Sequence, residues 1–127
     1  MRILLDTHVF LWYISGDPNL PASTRDAIRD RGNEAYLSVI SVWEAIVKHS
    51  LGKLPLPESA GRYLPRQRER HEISNLPLDE PSVVRLGSLP SLHRDPFDRM
   101  LVCQALQHEL VVATADDTVR AYPVTVL

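Results

Sequence analysis

Cysteine is almost missing from this chain of 127 residues: Cys103 is the only one, so neither a disulfide framework nor a cysteine zinc site is available. Cys103 falls in an apolar helical pattern and reads as a small core residue. Long hydrophobic runs are missing too. No stretch approaches the roughly 18 residues of a membrane span, and Met1-Arg2-Ile3-Leu4-Leu5-Asp6 lacks a signal-peptide layout, so the expectation is a cytoplasmic protein with no membrane contact. Basic excess is absent: 14 Lys and Arg stand against 16 Asp and Glu, a formal net charge of −2. That gives no global nucleic-acid footprint. Lysine is nearly absent as well, with only Lys48 and Lys53, so 12 of the basic residues are arginine, the side chain suited to bidentate phosphate contact and also favoured by GC-rich coding. No Gly-x-x-x-x-Gly-Lys motif is present to cradle a nucleotide, and no repeat or low-complexity segment divides the chain.

What is present is an ordinary globular balance, 44% hydrophobic and 24% charged. The length fits a single domain over residues 1–127. Residues 2–6 read as a strand running into a helix over 7–15, stopped by Gly16-Asp17-Pro18. A surface helix follows over 21–31 with a glycine stop at Gly32. A second strand over 34–39 leads into a helix over 40–52, where Ile40, Trp43, Val47 and Leu51 form an apolar stripe. Leu54-Pro55-Leu56-Pro57 is a rigid connector to a helical stretch over 58–69 interrupted or kinked by Pro65. A short strand is predicted over 71–76, and then a helix over 79–89 with Val83, Val84 and Leu86 inside. The next helix begins at Asp95-Pro96, a cap followed by proline at the first helical position. Residues 110–114 form a buried strand, and 123–127 a last strand at an edge because it opens with proline.

Alternating strands and helices predict an α/β fold with a mainly parallel sheet. Right-handed crossovers then bring the strands' carboxyl ends to one edge. Four acids collect there: Asp6 after the first strand, Glu44 early in the helix after the second, Asp98 in the first turn of its helix, and Asp116 after a late strand. Asp98 shares the wheel face of Leu101, Val102, Ala105 and Leu106, so it cannot simply point at water. Glu44 sits about 20° from Leu51 and 40° from Lys48 on its wheel, at the border of the buried face, which leaves an exposed pair with Lys48 open. No matching base is evident for these acids. Carboxylates that close need raised pKa values or a bound cation. Oxygen-only ligation suits Mg2+ or Mn2+ and points to phosphodiester hydrolysis by an activated water. Thr7, Ser38, Ser41 and Thr114 adjoin the acids, either orienting them or merely capping, and Arg99 is placed to meet phosphate or Asp95. Arg62, Arg66, Arg68 and Arg70 form the one basic concentration, a solvated face or a contact for RNA or a partner.

Leu4-Leu5-Asp6-Thr7-His8, the Ser38, Ser41 and Trp43-Glu44 junction, the block Asp95-Pro96-Phe97-Asp98-Arg99-Met100-Leu101, and Thr114-Ala115-Asp116 together resemble a PIN domain, in particular the VapC ribonuclease toxins of type II toxin–antitoxin systems. The resemblance covers nearly the whole chain in order. It implies a three-layer α/β/α sandwich around a parallel sheet, Mg2+- or Mn2+-dependent endoribonuclease activity on RNA, homodimers, and inhibition by a cognate VapB-type antitoxin. Position by position the implied acidic set is Asp6, Glu44, Asp98 and Asp116, with Asp95 and Asp117 left open. Rival readings are an aspartyl-nucleophile phosphatase, which wants Asp-x-Asp where His8 stands, a phospho-accepting receiver domain, which wants a lysine after position 53, and a catalytically silent PIN-like module.

Overall fold

The computed structural model describes all residues, Met1–Leu127. Its element order is β1 (Arg2–Leu5), α1 (Thr7–Ser15), α2 (Ala22–Arg29), β2 (Glu34–Ser38), α3 (Val39–Ser50), α4 (Ala60–Arg70), β3 (Ser74–Leu76), α5 (Glu80–Val84), a 3-10 turn (Arg85–Ser88), α6 (Pro96–His108), β4 (Val111–Ala113) and α7 (Asp117–Arg120). The four strands form one all-parallel sheet in the order β3-β2-β1-β4. Period-two alternation makes the layers. Ile3, Leu5 and Leu37 pack on one face with Val9, Phe10, Ile28 and Leu64, while Leu4, Leu76 and Val112 pack on the other with Leu101, Val102, Cys103 and Ala105. The expected α/β/α sandwich is therefore the observed fold, and Cys103 is a core residue.

Several local expectations need correction. The stripe on α3 is split: Ile40 is buried with Ser41, Glu44 and Ala45, Val47 is half-buried, but Trp43 is 56% and Leu51 62% exposed. The helix is turned so that its polar residues meet α1 and its tryptophan meets Phe97 edge-on at 5.0 Å. The stretch 79–89 is a one-turn α5 and a 3-10 turn, too short to bury an apolar face, so Val83, Val84 and Leu86 are exposed and only Ser82 and Leu89 are buried. Helix α2 ends at Asp30, not at Gly32. Pro65 lies inside α4 without ending it, and β3 starts only at Ser74 because His71 closes α4. The last strand shrinks to one bridge, Val126 beside Val112, at the edge where it was expected. Helix α7, not foreseen, is capped by Asp116, whose Oδ1 accepts from the Thr118 amide at 2.8 Å.

Because every strand is parallel, their carboxyl ends share one edge. Sequential strands grow from β1 to β2 and β3 on one side, whereas β4 returns to the other side of β1. This reversal opens a crevice beyond the ends of β1 and β4, the place where open α/β sheets bind ligands.

Candidate active site

Asp6 leaves β1 with its amide bonded to the Ala113 carbonyl of β4 at 3.0 Å, which pins it at the crevice. Its Oδ1 caps α1 by accepting from the Val9 amide at 2.8 Å, so capping and a place in the site coexist in one residue. Asp116 is tied to the same edge by its amide, which donates to Thr114 Oγ1 at 3.0 Å. Asp95 caps α6, accepting from the amides of Phe97 at 2.9 Å and Asp98 at 3.1 Å, and Asp98 follows in that first turn. The positive ends of three helices, α1, α6 and α7, thus point at one cluster of acids.

Glu44 comes from α3 and is 3% exposed. Its Oε1 accepts from the Thr7 hydroxyl at 2.6 Å, and Ser41 Oγ lies 2.9 Å from the same hydroxyl. Threonine has one proton to give, so Ser41 donates to Thr7 and Thr7 to the carboxylate. The other oxygen, Oε2, pairs with the Lys48 ammonium one helical turn on. The pair with Lys48 thus exists, but it lies in the site and not on an exposed face. Lys48 is also the base that was not evident in the sequence, and Lys48 Nζ, His8 and His93 are the cationic or potentially cationic groups beside the acids.

Asp6, Thr7, His8, Glu44, Lys48, Asp95, Asp98 and Asp116 line one cleft of about 110 Å³ with no hydrophobic wall. All four acids singled out in the sequence therefore share it. Burial raises the Asp98 carboxyl to about 7, reinforced by the charges of Asp95, Glu44, Asp116 and Asp6. Burial also raises Asp6, opposed by hydrogen bonds from Thr114 and the Val9 amide. At Lys48 burial works against the ammonium, but the hydrogen bond and charge of Glu44, with Asp95 and Asp98, outweigh it and hold the lysine above its ordinary value. Opposing carboxylates with raised affinity for protons are a site that favours a cation.

The acids fit a hard divalent ion, with carboxylate oxygens and several negative charges in a small polar cleft that His8 and Lys48 also line. As they stand Asp6 and Asp116 each place one oxygen on a backbone amide, Glu44 places its two on Thr7 and Lys48, and no three acidic, histidine or cysteine side chains are grouped closely enough to hold one ion. Other expected roles fall away. Asp117 points into solvent towards Arg120 and does not line the cleft. Ser38 caps α3 and donates to Gln104 Oε1 at 2.5 Å, touching no acid. Arg99 donates to the Pro90 carbonyl at 2.8 Å and to Tyr122 Oη at 3.0 Å, meeting neither Asp95 nor the cleft. Lys48, Gln104 and Tyr122 were not singled out in the sequence; the i,i+4 spacing to Glu44 was the one signal for Lys48.

Comparison with known proteins places these features in context. A family model described as PIN domain matches residues 3–124. Ribonuclease VapC16 of Mycobacterium tuberculosis is 39% identical over 56 residues, which are 44% of this chain and only 40% of that protein. The crystal structure of VapBC2 from Rickettsia felis bound to a promoter DNA fragment superposes with a TM-score of 0.66 at 13% identity, covering 100% of this chain and 97% of that one. FitAcB from Neisseria gonorrhoeae gives a TM-score of 0.62 at 25% identity over 98% of this chain and 96% of its own.

Proposed function

The chain belongs to the PIN-domain family, and from that premise we propose that it is a divalent-metal-dependent endoribonuclease, the toxin of a toxin–antitoxin pair. The observation that carries the reading is the convergence of Asp6, Glu44, Asp98 and Asp116, from four separate segments, on one polar cleft beyond the β1 and β4 ends. The match to a ribonuclease and the likeness to VapBC complexes support the substrate and the partner. RNA is then the substrate, a VapB-type protein the inhibitor, a homodimer the working assembly, and residues 1–127 one domain.

Asp6, Asp98 and Asp116 would hold Mg2+ or Mn2+, Asp6 and Asp116 through the oxygen that does not cap a helix. When bound, the ion supplies a water acidic enough to attack phosphorus and neutralises charge on the scissile phosphate. Glu44, locked between Thr7 and Lys48, orients the attacking water through a carboxylate that cannot swing away. Lys48 pairs with Glu44 and offsets part of the negative field that would repel RNA. To hold an ion Asp98 would have to give up the proton that its raised carboxyl retains, which would couple ion binding to pH.

Neither rival chemistry gains support. The cleft carries His8 where an aspartyl phosphatase wants its second aspartate. Lys48 does put an ammonium beside the acids, but from α3 and not from a late strand. The test incubates purified, partner-free protein with structured RNAs and Mg2+ or Mn2+. We expect Asp6→Asn and Asp98→Asn each to lower cleavage by about 100-fold or more. Cleavage that survives both substitutions or EDTA overturns the mechanism, and a wild-type protein that binds the ion but cuts no RNA is the silent module.

A further inference from the structure

Behind Asp98, away from the cleft, lies a chain of polar groups that the proposed chemistry does not use. Arg99 Nη1 donates to Tyr122 Oη at 3.0 Å, and the same oxygen lies 2.7 Å from His93 Nδ1. His93 Nε2 is buried and has no hydrogen-bond partner, and it stands 3.6 Å from Asp98 Oδ2. His93 comes from the loop before α6 and Tyr122 from the segment after α7, so the network ties two distant parts of the chain to one carboxylate.

The proton directions follow from what each group can do. Arginine only donates, so Tyr122 Oη accepts from Arg99. Tyr122 is 3% exposed, and its own proton must find an acceptor inside the protein. His93 Nδ1 is the acceptor at hand. An imidazole that accepts at Nδ1 carries its proton on Nε2, and that nitrogen faces Asp98. The gap of 3.6 Å is longer than a hydrogen bond, and the buried Nε2 has no other partner.

The geometry points to His93 as a positioning residue: Tyr122, itself held by Arg99, fixes the ring as the Nε2–H tautomer, and that N–H holds Asp98 Oδ2 so that the other oxygen is presented to the cleft. This inference rests on the proposed function for its consequence, the aim of Asp98 at a divalent ion, and not for its proton assignment. Outer hydrogen bonds of this kind orient metal-binding side chains and are worth about 10-fold to 100-fold in ion affinity.

Two measurements test it on the full chain. Ring-nitrogen NMR at about pH 8, above the ordinary imidazole range, reads the tautomer directly. The expected spectrum has the His93 proton on Nε2 in the wild type and shifts towards Nδ1–H in Tyr122→Phe, which keeps the ring in the core. A wild-type proton on Nδ1 overturns the inference. Titration with Mn2+ alone reads the consequence. His93→Gln places an amide N–H where Nε2 stands and is expected to stay within about threefold of wild type, whereas His93→Asn, which reaches only as far as Nδ1, and Tyr122→Phe lose about 10-fold. Equal affinity of His93→Asn and wild type overturns the positioning role and leaves the proposed function intact. A wild type that binds no Mn2+ instead removes the metal reading, and the ring-nitrogen spectra alone then decide the tautomer assignment.

Discussion

Asp98 occupies the third position of α6, where a carboxylate normally benefits from the helix N-terminus, yet its carboxyl is raised to about 7. Burial and four neighbouring acids outweigh the helix end. The sign of the consequence is fixed: between about pH 4 and pH 7 the metal-free native state keeps a proton that the unfolded chain has released, so stability falls as pH rises through that window. We expect chemical denaturation of the metal-free protein to show stability falling from pH 4 to pH 7, by less than the roughly 3 kcal/mol an unscreened carboxyl would give because solvent reaches this side chain, and Asp98→Asn to remove that part of the slope. An unchanged slope in the variant would place the strain on other acids, Asp6 first. The presence of the acids was legible in the sequence, residue by residue. The place of Lys48 in the site was not, because a wheel drawn from apolar positions put Trp43 and Leu51 inward, left Glu44 at the border of that face, and allowed its pair with Lys48 to be read as an exposed one.

Helix α6 starts on Asp95, and two amides depend on that one oxygen. Asp95→Ala is expected to cost about 1 kcal/mol, measured by denaturant unfolding, while Asp95→Asn keeps an acceptor and costs only a few tenths. If the asparagine variant nonetheless abolishes RNA cleavage, Asp95 acts in the cleft as well as at the cap. Farther along α6, the fully buried Gln104 accepts from Ser38 and donates to the Pro77 carbonyl at 3.2 Å, joining the β2–α3 junction and the segment after β3 to the helix. Gln104→Ala leaves both partners unpaired around a cavity, and we expect a loss of about 2 to 4 kcal/mol. Caps and proline positions announced α6 in the sequence, because they act within four residues. The role of Gln104 depends on groups 66 and 27 positions away, and nothing local marks it.

Across the whole molecule the charge pattern is less simple than the arginine count. Of the basic run on α4, Arg66 pairs with Glu58 at 3.0 Å and Arg68 donates to Asn75 at 3.4 Å, while Arg62 and Arg70 are exposed without such partners. Reversing those two, Arg62→Glu with Arg70→Glu, should change stability by no more than about 0.5 kcal/mol and weaken RNA binding in a salt-dependent way. Unchanged binding to RNA and to the antitoxin makes the run a solvated face. The outward apolar residues of α3 and α5, among them Trp43, Ile46 and Val84, are the surface that assembly would cover. Light scattering on the purified chain is expected to report twice its 14.4 kDa, and a monomer removes the homodimer from the proposed function.

The sequence by itself determined the order of strands and helices as far as β4, the parallel sheet, and the four acids at its carboxyl edge. Each of these is written in periodicity, caps and strand ends, which are local. Only the tertiary structure decided which face of α3 is buried, that Lys48 rather than solvent meets Glu44, that Asp117 and Arg99 stand apart from the cleft, and that His93 and Tyr122 stand behind Asp98. These are contacts between segments far apart in the chain, chosen by which side chains can satisfy one another's hydrogen bonds once the two cores have closed on the sheet.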